Sequence, residues 1–523
     1  MASRDGVSSD SGGQQGGVNP KAKTDPKKGL KDAAAFFIGI AMFQVFYITL
    51  SSGKFTLERF KIPPSHISIY INRMVISYRI FSFLGVFAVL IYDLGYGQHF
   101  GPVRRCLLLL LAFFYFVIIL VYHIGGEQGY VTLFYWVIAI SAFLVGSSYT
   151  LAAKIASDNI QYLLVSLPIS KVLTFFYQLG FLTIWEYFGL SDTYYWMVVW
   201  QAIIAIFLCA LTACLWIPGF EVEEGSQLSE KGENKPESTE KDDEGPHNAY
   251  NIFDSCMRAI SPVLMSTLGF GLQNAFYPGV SPYKLTGIDQ GFKITMVILF
   301  TSGIPSLVNL GLTSKGIGPN RPWTGGDRIW HGAWLFFCIQ VICAIIFVCG
   351  LHYPGWPLSR AIRSDARILG LVTVIYDLCL QITYVIGTSG ITKQGGKSPL
   401  KVSTVRIFTL TFAQISAAFI GDGYVKIYSK HENNRNNWPT AHYSVLRAFW
   451  FWTWNTTKIA LSNVGKAFTI DLRKDILVKK EHLFIVYDDA PPEDDDPLLD
   501  LPFIHKKEES PDNHSFKGAH IFH

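Results

Sequence analysis

Between residues 33 and 427 the sequence returns repeatedly to runs of about twenty mostly apolar residues. About twenty residues of helix cross the hydrocarbon core of a bilayer, and inside that core each backbone amide must find its partner within its own segment. Such a chain folds as an all-α polytopic membrane helix bundle. About eleven transmembrane spans are expected, near 33–52, 74–95, 103–123, 129–152, 163–187, 194–217, 258–280, 292–312, 329–351, 366–390 and 402–427. Composition agrees. Half of the 523 residues are apolar and only 16% are charged, against roughly a quarter charged in an ordinary soluble domain. A net charge of +4 leaves no large basic field for phosphate backbones, so no nucleic-acid partner is expected.

The polar stretches divide the chain. Residues 1–32 read as a disordered cytosolic tail, rich in Gly, Ser, Asp and Lys, with no apolar core of a cleavable signal peptide. Residues 33–218 form a six-span block, 219–250 an acidic cytosolic linker, and 251–427 a five-span block. Residues 428–523 form a hydrophilic C-terminal tail. Its aromatic cluster, Phe449 to Trp454, suits an interfacial amphipathic helix better than a twelfth span, because Arg447 and Lys458 bracket it closely. Basic residues in the short connections are equal in number on the two sides. Lys21, Lys23, Lys27, Lys28 and Lys31 then place the N-terminus in the cytosol. The chain is thus an integral multi-pass protein, of the plasma membrane or an internal one.

Polar side chains inside spans are costly and tend to face a bundle interior or a water-filled path. Asp377 and Gln381 lie four apart on one helix face. Asp377 reads as the one carboxylate deep in a span, with Arg79 or Lys171 as partner across the bundle. Gln44, Gln273 and Asn274 complete the candidate substrate path. A lone Gln serves equally to fasten one helix to another, and Arg79 lies within reach of an interface, where it would snorkel. Helix breakers collect at Gly271, Pro278 and Gly279 in the seventh span and at Pro305 in the eighth, as hinges or gates. Pro168 and Lys171 interrupt the start of the fifth span. Gly146, Ser147 and Ser148 would let the fourth pack closely.

Soluble-type chemistry has no foothold. The sequence lacks a Walker A loop, a dinucleotide-binding glycine fingerprint and a His-Glu-x-x-His zinc motif. Nearly all of the eight cysteines lie in or beside apolar runs, and none forms a Cys-x-x-Cys pair. No enzyme activity, cofactor or metal is expected. The Asn455-Thr456-Thr457 sequon would be usable only on the luminal side.

The six-plus-five layout around a charged linker resembles the equilibrative nucleoside transporters. So do the first span (AAAFFIGIAMFQVFYITLSS), the third (VRRCLLLLLAFFYFVIILV), the FLVGSSYTLAAK and SLPISKVL stretches, and Phe276-Tyr277-Pro278-Gly279-Val280. That family usually carries a Gln where Val145 stands, and an Asp and an Arg in the eighth span, whose interior here has neither. No binding residue is carried over from those two helices. A second resemblance is to multi-span Tpr-related membrane proteins of piroplasm parasites. The resemblance implies a secondary transporter of a polar small molecule, with nucleosides or nucleobases as candidate substrates; Asp377, if desolvated, makes protons a candidate coupling ion. The alternative is a non-transporting membrane protein that acts through its tail and linker. Convergence of the polar residues on one path separates the two readings.

Overall fold

A computed structural model describes residues 27–96, 101–125, 130–156, 159–221, 253–394, 399–432 and 437–466. Most of the N-terminal tail, nearly all of the acidic linker and the tail beyond 466 lie outside the described residues. In chain order the helices are α1 (Lys28–Leu50), α2 (Gly53–Arg59), α3 (Ile67–Tyr96), α4 (Gly101–Ile124), α5 (Val131–Ile155), α6 (Ile160–Phe188) and α7 (Thr193–Trp216). They continue as α8 (Ile260–Phe276), α9 (Leu285–Thr301), α10 (Gly303–Ser314), α11 (Trp334–His352), α12 (Pro357–Ser364), α13 (Ala366–Gln394), α14 (Pro399–His431) and α15 (Val445–Lys466). The described residues contain no strand.

Among the described residues ten segments are long and apolar enough to cross a membrane, and one of them, Ile260–Ser314, is 55 residues long. That segment makes two passes. Gln273 lies 3.2 Å and Ser302 lies 2.7 Å from the carboxylate of Asp377. In a straight helix those two residues would stand about 43 Å apart at roughly 1.5 Å per residue. The chain therefore reverses between them, so the ten apolar segments among the described residues make eleven passes. The reversal lies in the breaker-rich stretch. Tyr277 is extended, the ladder is broken at Ser281, and Gly287 takes a positive φ of 78°, which glycine adopts without strain. The peptide bonds before Pro278 and Pro282 are cis.

A second break separates α9 from α10 at Ser302. Pro305, in the first turn of α10, has no N–H to bond the carbonyl four residues back. Pro168, by contrast, does not interrupt α6, which runs through it from Ile160 to Phe188. Two-sidedness is plain in the burial. Leu109, Phe113, Phe207, Leu371 and Phe412 are all more than half exposed. A belt of this kind faces lipid in a membrane bundle and would be a liability in water. The closeness expected from Gly146 is present: a Cβ there would clash with the Ser82 carbonyl of α3.

The aromatic cluster of the tail does not lie across the end of the bundle. It is part of α15, which runs back along α14. Trp452 rests on His431, and Asn463 donates to Asp422 (3.0 Å), nine residues earlier in α14 than His431. Trp452 is buried against His352, Tyr424 and Trp438. The sequon falls on this helix, with Thr456 4% exposed. A Cβ on Gly423 would sit 2.6 Å from the Thr456 carbonyl. The Gly423→Val variant should therefore push α15 away and cost about 1–3 kcal/mol of stability. A fall in melting temperature is the expected readout; an unchanged melt would mean that α15 is not seated on α14.

Candidate functional site

The polar residues of α3, α6, α8, α13 and α14 meet around a central cavity of about 120 Å³. Phe43, Phe46, Tyr47, Tyr78, Phe270 and Tyr277 supply much of its wall.

Asp377 projects into the cavity from the middle of α13 and is only 1% exposed. Its Oδ1 accepts hydrogen bonds from Gln273 Nε2 (3.2 Å) and Gln381 Nε2 (3.4 Å), and Lys171 Nζ stands 3.7 Å away. The Ser302 hydroxyl, at the α9–α10 junction, lies 2.7 Å from Oδ2 and 2.5 Å from the Ile298 carbonyl. One hydroxyl proton serves both acceptors. Lys171 also donates to Ser302 (3.2 Å). A carboxylate buried this deeply is tolerated because several donors surround it.

Arg79 faces the same cavity from α3. Its Nε donates to Asn274 Oδ1 (3.1 Å) and its Nη1 to Gln414 Oε1 (3.3 Å). The guanidinium carbon lies 4.8 Å from the centroid of the Phe46 ring and 5.8 Å from that of Tyr78, within the range of cation–π attraction. Arg79 thus sits at the centre and does not snorkel to an interface. Lys171 takes the place beside Asp377 that the sequence left open between the two cations.

Of the expected path residues, Gln273, Asn274 and Asp377 line the cavity, and Gln381 stands behind Asp377. Gln44 points elsewhere. Its amide donates to Ser170 Oγ (2.8 Å) and accepts from Thr174 (3.5 Å), in a polar seam between α1 and α6. Gln178 continues that seam with a bond to Ser51 (2.9 Å). Among the expected hinges, Pro278 lines the cavity and Gly271 packs on Ala413 of α14. Gly279 lies against the side chain of Asn72, where a Cβ would clash, and Pro305 is at the second break.

Asp377 is not alone among buried carboxylates. Asp422, also 1% exposed, lies 3.8 Å from Arg73 and 3.7 Å from Lys426. Arg406 is a further buried cation. It donates to Thr388 (3.0 Å) beside the hydroxyls of Tyr149 and Tyr384, two more cavity residues. Both Asp422 and Arg406 fall within the expected eleventh span, where their charges are visible in the sequence.

No protein-family model and no curated protein matches the sequence. Among solved structures, the chain is similar in shape to a D-xylose–proton symporter (12% identity, 83% of this chain and 96% of that one, TM-score 0.48). It is similar also to the xylose transporter XylE from E. coli in an inward-open conformation (12%, 82% and 94%, TM-score 0.46). A third is the nucleoside transporter NupG (13%, 86% and 99%, TM-score 0.43).

The geometry around Asp377 makes a prediction about stability. Asp377→Ala leaves Lys171 buried without its counter-charge and should cost about 3–5 kcal/mol. Removing both charges, with Lys171→Met and Asp377→Leu together, should cost less than Asp377→Ala alone. Thermal melts of Lys171→Met, Asp377→Leu and their double variant decide it, and a double variant as unstable as the sum of those two singles would deny the coupling.

Proposed function

We propose that this chain is a secondary membrane transporter of a polar small molecule, working by alternating access between its two blocks of spans. The observation that carries the reading is where the central polar contacts lie. Lys171, on α6, meets Asp377, on α13. Arg79, on α3, meets Asn274 on α8 and Gln414 on α14. Each contact joins a residue before the acidic linker to one after it, across a cavity large enough for a small organic molecule. Contacts of this kind can break and re-form as one block rocks against the other. A helix bundle that merely anchored a tail would not need several costly charged and amide groups converging on one space.

The breaks flanking α8 and α9 supply hinges close to the cavity. Asp377 is the one carboxylate among the described lining residues. A co-transported proton would reside there, because the carboxylate can give up Lys171 when protonated. The nucleoside or nucleobase class named by the sequence resemblance enters as a candidate substrate.

Counterflow into vesicles holding the purified protein tests the reading. The panel is labelled hypoxanthine, adenosine, benzoate and nicotinate, at two pH values. Saturable counterflow of at least one solute is the expected result. The Asp377→Asn variant should abolish the pH dependence of that solute's uptake. Absence of saturable flux for every solute, with a folded and inserted protein, would overturn transport. An unchanged pH profile in the variant would remove Asp377 from proton coupling.

A further inference from the structure

The cavity has more positive than negative charge. Two cations, Arg79 and Lys171, line it against one carboxylate, Asp377. Lys171 is the cation that Asp377 neutralises, at 3.7 Å. Among the described residues Arg79 is met by amide oxygens and aromatic side chains, and no carboxylate pairs with it. Arg406, behind Tyr149 and Tyr384, adds a second cation with no carboxylate partner among the described residues. Uncompensated charge in a bilayer interior is costly, and it is kept where something of opposite sign arrives to meet it.

We infer that the transported molecule is a small organic monoanion, a flat apolar or aromatic body bearing one acidic group that Arg79 binds. This rests on the transport reading and narrows it. The guanidinium has five N–H donors in a planar fork. Asn274 and Gln414 take two of them and hold the group's orientation, and the remaining donors match the two oxygens of a carboxylate. One negative charge on the solute brings the lining to neutrality. Phe46 and Tyr78 lie against Arg79, and Phe43, Tyr47, Phe270 and Tyr277 extend the aromatic wall. A ring carrying its acid on one edge would therefore place its body on aromatic faces and its charge on Arg79.

Matched acid and amide pairs test the charge without changing shape: benzoate with benzamide, nicotinate with nicotinamide, and phenylacetate with phenylacetamide. Ligand-dependent melting of the full chain at pH 7 gives apparent affinities. Each acid that stabilises the protein should do so at least about tenfold more tightly than its amide, the scale of a charge-assisted bond against a neutral one. Arg79→Gln should erase that preference. Arg79→Lys keeps the charge but loses the fork, and should retain only part of it. If no acid exceeds its amide in the unaltered protein, the inference is wrong, whether or not the variants fold. The same solutes in counterflow separate the two proposals. Flux of hypoxanthine or of the amides without flux of the acids keeps the transporter and discards the anion. Tight binding of acids with no flux of any solute keeps the anion site and discards transport.

Discussion

A carboxylate in the middle of a membrane bundle must be surrounded by donors, and Asp377 sets the arrangement of much of this molecule. Its partners are Lys171 on α6, Gln273 on α8, Ser302 at the α9–α10 break and Gln381 one turn along α13. The first three are remote from it in sequence. Each must be brought to the same depth and turned to the same point, because a missing partner would leave a buried polar group unsatisfied. That requirement fixes the reversal between α8 and α9, the placement of the second break, and the approach of α6 to α13.

Backbone irregularity and side-chain polarity work together here. Extended Tyr277 and the broken ladder at Ser281 turn the chain between two passes, and Pro305 releases the ladder beside Ser302. In lipid such breaks are tolerated only where protein groups or a cavity meet the freed backbone. Beside the second break the Ser302 hydroxyl bonds both the Ile298 carbonyl and Asp377. Elsewhere small residues do the joining. Gly146 against Ser82 and Gly423 against Thr456 bring helix backbones too close for any side chain, which maximises packing where no hydrophobic force drives helices together.

Much of this was legible in the sequence because hydropathy reports directly on the surrounding solvent. The eleven passes follow from run length, and Asp377, Lys171 and Gln273 stand out as polar breaks in apolar runs. Rotation about each helix axis is less visible, since it is set by packing and not by composition. Gln44 and Gln273 look alike in the sequence, yet one fastens α1 to α6 and the other reaches the cavity. Arg79 looked close enough to an interface to snorkel; the long start of α3, back to Ile67, puts it at mid-helix. Asp422 and Arg406 sit toward the ends of a span, where charge is ordinary, and only their burial distinguishes them. Pro168 reads as a breaker, but packing of α6 against α1 carries the helix through it.

The claim on which the functional account rests is that the central cavity opens to each side of the membrane in turn. Ser82 lines it and carries no charge. A cysteine placed there can be exposed to a membrane-impermeant thiol reagent from either face of oriented vesicles, with mass spectrometry reading modification at that position. The account predicts labelling from both faces, with a bound solute slowing both. Labelling from one face alone, unchanged by any solute that crosses, would contradict alternating access.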